Sequence, residues 1–148
     1  MDFILKYNAI IESIDKATGN VIKRITVHNM VVNNGLNLIR NWMAGDVVDN
    51  PQAIALGTDA TAVQATDTTL GAEVERETAT ITKPANYQAR YTKLFSVGSG
   101  VSHNIREVGV FDSAIASGST MLARLTCDNT LDSDTDLSVQ ITYTIARV

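Results

Sequence analysis

Ser102, His103 and Glu107 lie close enough in the chain to be drawn as nucleophile, base and orienting carboxylate, the set that acyl transfer uses. The commoner explanation is a polar loop running into a strand, since Ile105, Val108, Val110 and Phe111 follow directly. The other histidine, His28, is remote in sequence, and no HExxH, CxxC or GxSxG pattern occurs. Asp132-x-Asp134-x-Asp136, with Asp128 nearby, imitates the start of a calcium loop. Such a loop needs Gly at its sixth position and Glu at its twelfth, where this chain has Leu137 and Tyr143. A solvated hairpin loop is the better reading of that cluster. Cys127, the single cysteine, sits in the strand-like run Leu125-Thr126-Cys127 and reads as a buried inert thiol. These residues predict no enzyme, no cofactor and no metal site.

Glu107 invites a different chemistry. It is the one charged residue flanked by apolar strand positions on its C-terminal side, and a buried carboxylate needs a cation beside it. Arg124 and Arg76 are the candidates at comparable strand positions, so a structural ion pair is expected. The remaining basic residues are scattered, and with a net charge of -4 the chain lacks the clustered Lys and Arg that phosphate backbones require. Nucleic acid is therefore not expected as a partner.

The elements that must position these residues follow from the hydrophobic pattern. With 45% hydrophobic and 19% charged residues over 148 positions, one domain spanning 1–148 with a sizeable core is expected. No apolar run approaches the ~18 residues of a membrane span. Met1-Asp2-Phe3-Ile4-Leu5-Lys6 has an acid where an export signal carries basic residues, so none is expected. Residues 1–30 read as a long hairpin turning at Gly19-Asn20, and its Phe3, Ile4, Leu5 and Tyr7 end is expected to project as an arm toward a neighbouring subunit. Residues 34–44 form the one clear helix, capped by Asn33 or Asn34 and ended near Gly45. Its broad apolar stripe predicts cover on more than one side, with Trp42 as a core or interface anchor. If Trp42 is core, its replacement by Ala would cost about 3–5 kcal/mol.

Ala53-Ile54-Ala55-Leu56-Gly57 reads as one buried strand, followed by an irregular Thr- and Ala-rich loop from Asp59 to Thr69 with Leu70 as a lone apolar anchor. Val74 to Lys83 and Tyr87 to Val97 then alternate as a second hairpin. Further strands are expected over Ile105 to Phe111, Met121 to Asn129 and Leu137 to Val148. About eight strands, one helix and no βαβ rhythm imply a mainly β chain, an antiparallel β-sandwich or barrel of jelly-roll-like kind.

The strand closing on Leu56-Gly57-Thr58, the loop and Thr68-Thr69-Leu70-Gly71-Ala72-Glu73-Val74-Glu75-Arg76 form one distinctive stretch. Asn33-Asn34-Gly35-Leu36-Asn37-Leu38-Ile39 precedes it, and Ile105-Arg106-Glu107-Val108-Gly109-Val110-Phe111 and Met121-Leu122-Ala123-Arg124-Leu125 follow. In that order they resemble the small structural proteins of tailed-bacteriophage virions, found as capsid decoration (cement) proteins and as tail or fibre proteins. The resemblance marks Gly57, Leu70, Glu107, Gly109, Phe111 and Arg124 as its structural motif. It implies a virion protein made in the host cytoplasm and mounted on the outer capsid surface. It implies a homo-oligomer, a trimer by preference, with the major capsid protein as partner and the Asp59 to Thr69 loop among the contacts. Tail, baseplate or fibre placement is the alternative. A chain that begins at Met1 without fibrous repeats favours the capsid. A carbohydrate-binding module is more remote, because aromatic content is only 5%; exposed Tyr87, Tyr91 and Tyr143 on one sheet face would favour it.

Overall fold

The computed structural model describes residues 2–28 and 30–148, with the side chain of Phe3 outside that description. Ten strands and one helix follow in the order β1 (Phe3–Asp15), β2 (Val21–Val27), β3 (Met30–Val31), α1 (Asn33–Met43), β4 (Ala53–Gly57), β5 (Glu73–Thr78), β6 (Thr80–Thr82), β7 (Gln88–Phe95), β8 (Ser102–Phe111), β9 (Met121–Asp132) and β10 (Thr135–Arg147). They build two five-stranded sheets, β2-β1-β10-β7-β6 and β3-β9-β8-β4-β5. The chain is thus mainly β with antiparallel pairing and one helix, consistent with the sandwich class anticipated. It divides into two compact units. One holds Met1–His28, Ala79–Asn104 and Asn129–Val148, the other Asn29–Thr78 and Ile105–Asp128.

In the first unit, strand alternation sorts side chains cleanly by face. Ala9 and Ile11 on β1, Leu137, Val139, Ile141 and Tyr143 on β10, and Tyr91 and Phe95 on β7 are all buried. Tyr143 packs edge-on to Tyr91 at 5.8 Å between ring centroids and lies 6.2 Å from Tyr7. Burial pushes the Tyr91 phenol above its ordinary range. The folded state therefore keeps that proton where the unfolded chain has lost it. Stability contributed by Tyr91 is full below the usual tyrosine range and falls as pH rises through the raised value. Alkaline titration followed by phenolate absorbance should show one tyrosine ionising late, together with unfolding; Tyr91→Phe should remove that step.

The N-terminal hairpin forms, but its end is not a projecting arm. β1 pairs with β10 along its whole length, from Phe3↔Arg147 to Asp15↔Thr135, whereas β2 covers only Ala9 to Ile14 on the other side. Thirteen residues of ladder hold the strand in the sheet, because β10 continues the same alternation to the same length. Ile4 is exposed and Leu5 and Tyr7 are half-buried; the expectation for the Phe3 side chain falls outside the described residues.

Two strand assignments change. Val74 to Lys83 is not one strand of a hairpin with β7. It is β5, which pairs with β4, and β6, which pairs with β7, and the chain leaves one sheet for the other at buried Ala79. Unbroken Thr/Ala alternation hid that change, since both pieces keep period two. The Asp132 to Thr135 turn likewise joins β9 and β10, which lie in different sheets, and closes no hairpin within one.

In the second unit, all five residues of β4 are buried, and Val32, Ala55, Leu70, Phe111 and Met121 form the core cluster. Helix α1 lacks the asparagine cap expected of it. Val32 holds the cap position with extended backbone and no side-chain bond, while the first helical amide, at Asn33, donates to the Ala65 carbonyl at 2.8 Å. A loop carbonyl does the work of a cap. Gly45 ends the helix in the left-handed region (φ 82°). The helix is covered on one side only: Gly35 and Leu38 are buried, while Leu36 and Met43 stand in solvent. Trp42 is half-buried rather than core. Trp42→Ala should therefore cost about 1–2 kcal/mol, below the ~3–5 of a core tryptophan, as read from urea denaturation midpoints.

Candidate functional site

Glu107 lies at the centre of the second unit, with its side chain wholly out of solvent on β8. Gly57 on β4 is its register partner, and any Cβ there would collide with the Glu107 side chain. The missing side chain at Gly57 is what makes room for the carboxyl group. One carboxylate oxygen, Oε1, accepts from the Ala72 amide at 2.8 Å and from the Asp59 amide at 3.4 Å. The other, Oε2, accepts from the Gly71 amide at 3.0 Å and from Arg124 Nε at 2.9 Å. Three amides and a guanidinium thus answer one charge, the condition under which a buried carboxylate is tolerable.

Arg124, 3% exposed by side chain, carries the connection onward to Asp67 through Nη1 at 3.1 Å. All of these partners except Arg124 belong to the chain between β4 and β5. Thr58 donates its amide to the Ala72 carbonyl at 3.0 Å, and Asp67 accepts from the Gln64 amide at 3.0 Å. Asp59 accepts from both the hydroxyl and the amide of Thr61, at 2.7 and 2.9 Å. Those two bonds hold its carboxyl below the usual carboxylate range, aided by the positive charge of Arg124 and opposed by slight burial. Gly71 is free of a side chain where a Cβ would meet Asp59. The irregular loop is therefore fastened at both ends and in the middle. Its exposed positions, among them Thr61, Ala62, Gln64, Thr66 and Thr68, are uncharged and, Gln64 apart, small, and both of its aspartates are turned to internal bonds.

The motif residues singled out in the sequence converge here. Gly109 leaves space against Phe111 and Leu70, both core, and Phe111 carries the Arg76 guanidinium 3.8 Å from its ring centre. Arg76, the other cation considered for Glu107, binds Glu73 at 2.6 Å and Ser113 and Ser119 at 2.9 Å. Arg124 is the partner that Glu107 takes. Asp67 and the Gly71 and Ala72 amides were not foreseen. A lone Asp in a Thr-rich loop carries no distinguishing signal, and backbone donors carry none at all.

Elsewhere the chemistry-bearing residues are held apart. Glu107 has both oxygens engaged and offers no orienting bond to His103. His28 Nδ1 lies 3.2 Å from the Tyr7 carbonyl. Cys127 is half-buried, with Sγ 3.5 Å from the Ile105 carbonyl. Asp128 pairs with Arg106, Asp136 with Lys16 and Ser96, and Asp132 accepts from the Asp134 amide. Among the described residues no three His, Cys, Asp or Glu gather as a metal site. Tyr91 and Tyr143 are 7% and 5% exposed, so only Tyr87 of the tyrosine trio faces solvent. Among the described residues no helix is long and apolar enough to cross a membrane. Set against protein-family models, curated proteins and solved structures, the chain matches none of them.

Proposed function

We propose that this chain is a non-enzymatic structural protein of a bacteriophage virion, a capsid decoration or cement protein that binds the assembled lattice and stabilises it. The observation that carries the reading is the fastening of the 58–72 loop. A buried carboxylate with four donors holds in one shape a surface that has no catalytic group on it. A contact loop ordered before binding avoids the entropy that a flexible one would lose on docking. Small, uncharged residues suit close approach to a protein surface. The sequence resemblance supplies the virion setting, with the major capsid protein as partner and a homotrimer as the working form. Stabilisation would follow mass action, RT ln(1 + [L]/Kd) per site, for a protein that binds the closed lattice and not the loosened one.

Co-sedimentation tests this directly. The purified protein should bind capsids stripped of minor proteins, saturably and at a fixed ratio to the shell protein, and should raise the heat resistance of the particle. Binding only to isolated tails would move it to a tail, baseplate or fibre position. Binding to neither would end the virion reading.

A further inference from the structure

The outward face of the first unit's sheet carries a second surface of defined chemistry. Register places its side chains in rows across three strands: Lys6, Thr144 and Gln88; then Asn8, Thr142 and Arg90; then Ile10, Gln140 and Thr92. A shallow groove of about 410 Å³ runs over all of these but Thr92 and is bordered by Tyr7 and His28. In a chain of net charge -4, no carboxylate among the described residues lines this groove. Glu12, next along β1 on the same face, is engaged by Arg24 at 3.3 Å. Lys6 and Arg90 make no ion pair among the described residues. Arg90 is instead steadied by its Nε bond to Thr142 Oγ1 at 3.1 Å, which leaves its terminal nitrogens for a ligand.

We propose that this groove binds an acidic saccharide, a chain of sugar rings bearing carboxylates. Two strand spacings and two residues along the strand separate Lys6 from Arg90, roughly 12 Å between their Cα atoms, so two charges on one extended ligand can be met at once. Arg90 presents a planar fork to one carboxylate and Lys6 a point charge to the other. Between them the amides of Asn8, Gln88 and Gln140 and the hydroxyl of Thr144 offer paired donors and acceptors, the pattern that ring hydroxyls complement. An acidic peptide fits less well. β10, the central strand of the floor, is hydrogen-bonded to β1 and β7 on its two sides, so an extended peptide finds no main-chain ladder along the floor; the open edge of β1 before Ala9 lies only at the border. Neutral sugars, which rely on stacking, find no open platform here: Tyr7, the one aromatic at the border, shares the parity of Tyr143 and packs 6.2 Å from its ring, and Tyr91 and Tyr143 are buried.

The test is calorimetric titration of the full chain with oligogalacturonate, with dextran oligosaccharides and poly-glutamate as comparators. Oligogalacturonate should bind and the comparators should not, with affinity falling as salt rises. Arg90→Gln and Lys6→Gln should each weaken binding at least tenfold without changing the thermal unfolding midpoint, while Arg40→Gln, on the helix, should leave it unchanged. Gln88→Ala should weaken it through the hydroxyl contacts alone. No binding of oligogalacturonate, equal binding of poly-glutamate, or unaltered affinity in both charge variants would each overturn the proposal. None of these outcomes bears on capsid binding, which rests on the other unit.

Discussion

Glu107→Gln should lower the free energy of unfolding by about 3–5 kcal/mol, the cost of leaving a buried charge without its partner. The substitution keeps the shape of the side chain and still fails, because of how the donors are arranged. Each carboxylate oxygen faces two donors: Asp59 and Ala72 amides on one side, the Gly71 amide and Arg124 Nε on the other. Glutamine has one acceptor oxygen and one NH₂ group. Whichever way the amide is turned, its NH₂ group points at two N–H donors, and Arg124 keeps its charge with Asp67 alone to answer it. Urea denaturation should show the loss as a lower midpoint, and limited proteolysis should cut the variant between residues 58 and 72 first. A loss under 1 kcal/mol would mean that the loop is held by something other than this carboxylate. The double variant Glu107→Leu with Arg124→Met removes both charges and should recover part of the stability, while leaving the loop open to protease.

Gly35→Ala should cost about 2 kcal/mol or more, although helix propensity alone points the other way. Alanine is the better helix former by ~1 kcal/mol, and an exposed position would gain from the change. At Gly35, however, an added Cβ would run into the Leu122 carbonyl on β9, a backbone atom that cannot swing aside as a side chain can. The helix would have to lift from the strand, opening the Val32–Leu122 bond of 3.1 Å and the seat of Leu38. Thermal unfolding separates the two effects by sign: a lower midpoint is expected, and a raised one would mean that the helix rides higher on β9 than the structure places it.

Much of this was open to view in the residues themselves. Helix α1 announced itself by three- and four-residue spacing, and β4 by an apolar run ended at Gly57. The Glu107–Arg124 pair was legible because an acid among apolar strand positions must find one of few cations. What stayed hidden depends on contacts that carry no side-chain signature. The amides of Gly71 and Ala72 look like any others in a loop. The cap of α1 is a carbonyl thirty-two residues downstream, at Ala65, so the two asparagines misled. The break at Ala79 leaves the alternation intact, and the supposed arm is secured by β10, at the far end of the chain. Trp42 was assigned by residue type, and the neighbours that decide its burial lie elsewhere in the sequence.

Native-state hydrogen exchange of the free protein, read at the amides of Thr58, Gly71 and Ala72, tests most directly whether the loop is fastened before any partner arrives. If Glu107 holds it as described, these amides exchange only with global unfolding, at the same free energy as β4. Exchange through local opening, with β4 still protected, would show a loop that orders on binding, and the preformed contact surface would be lost from the account.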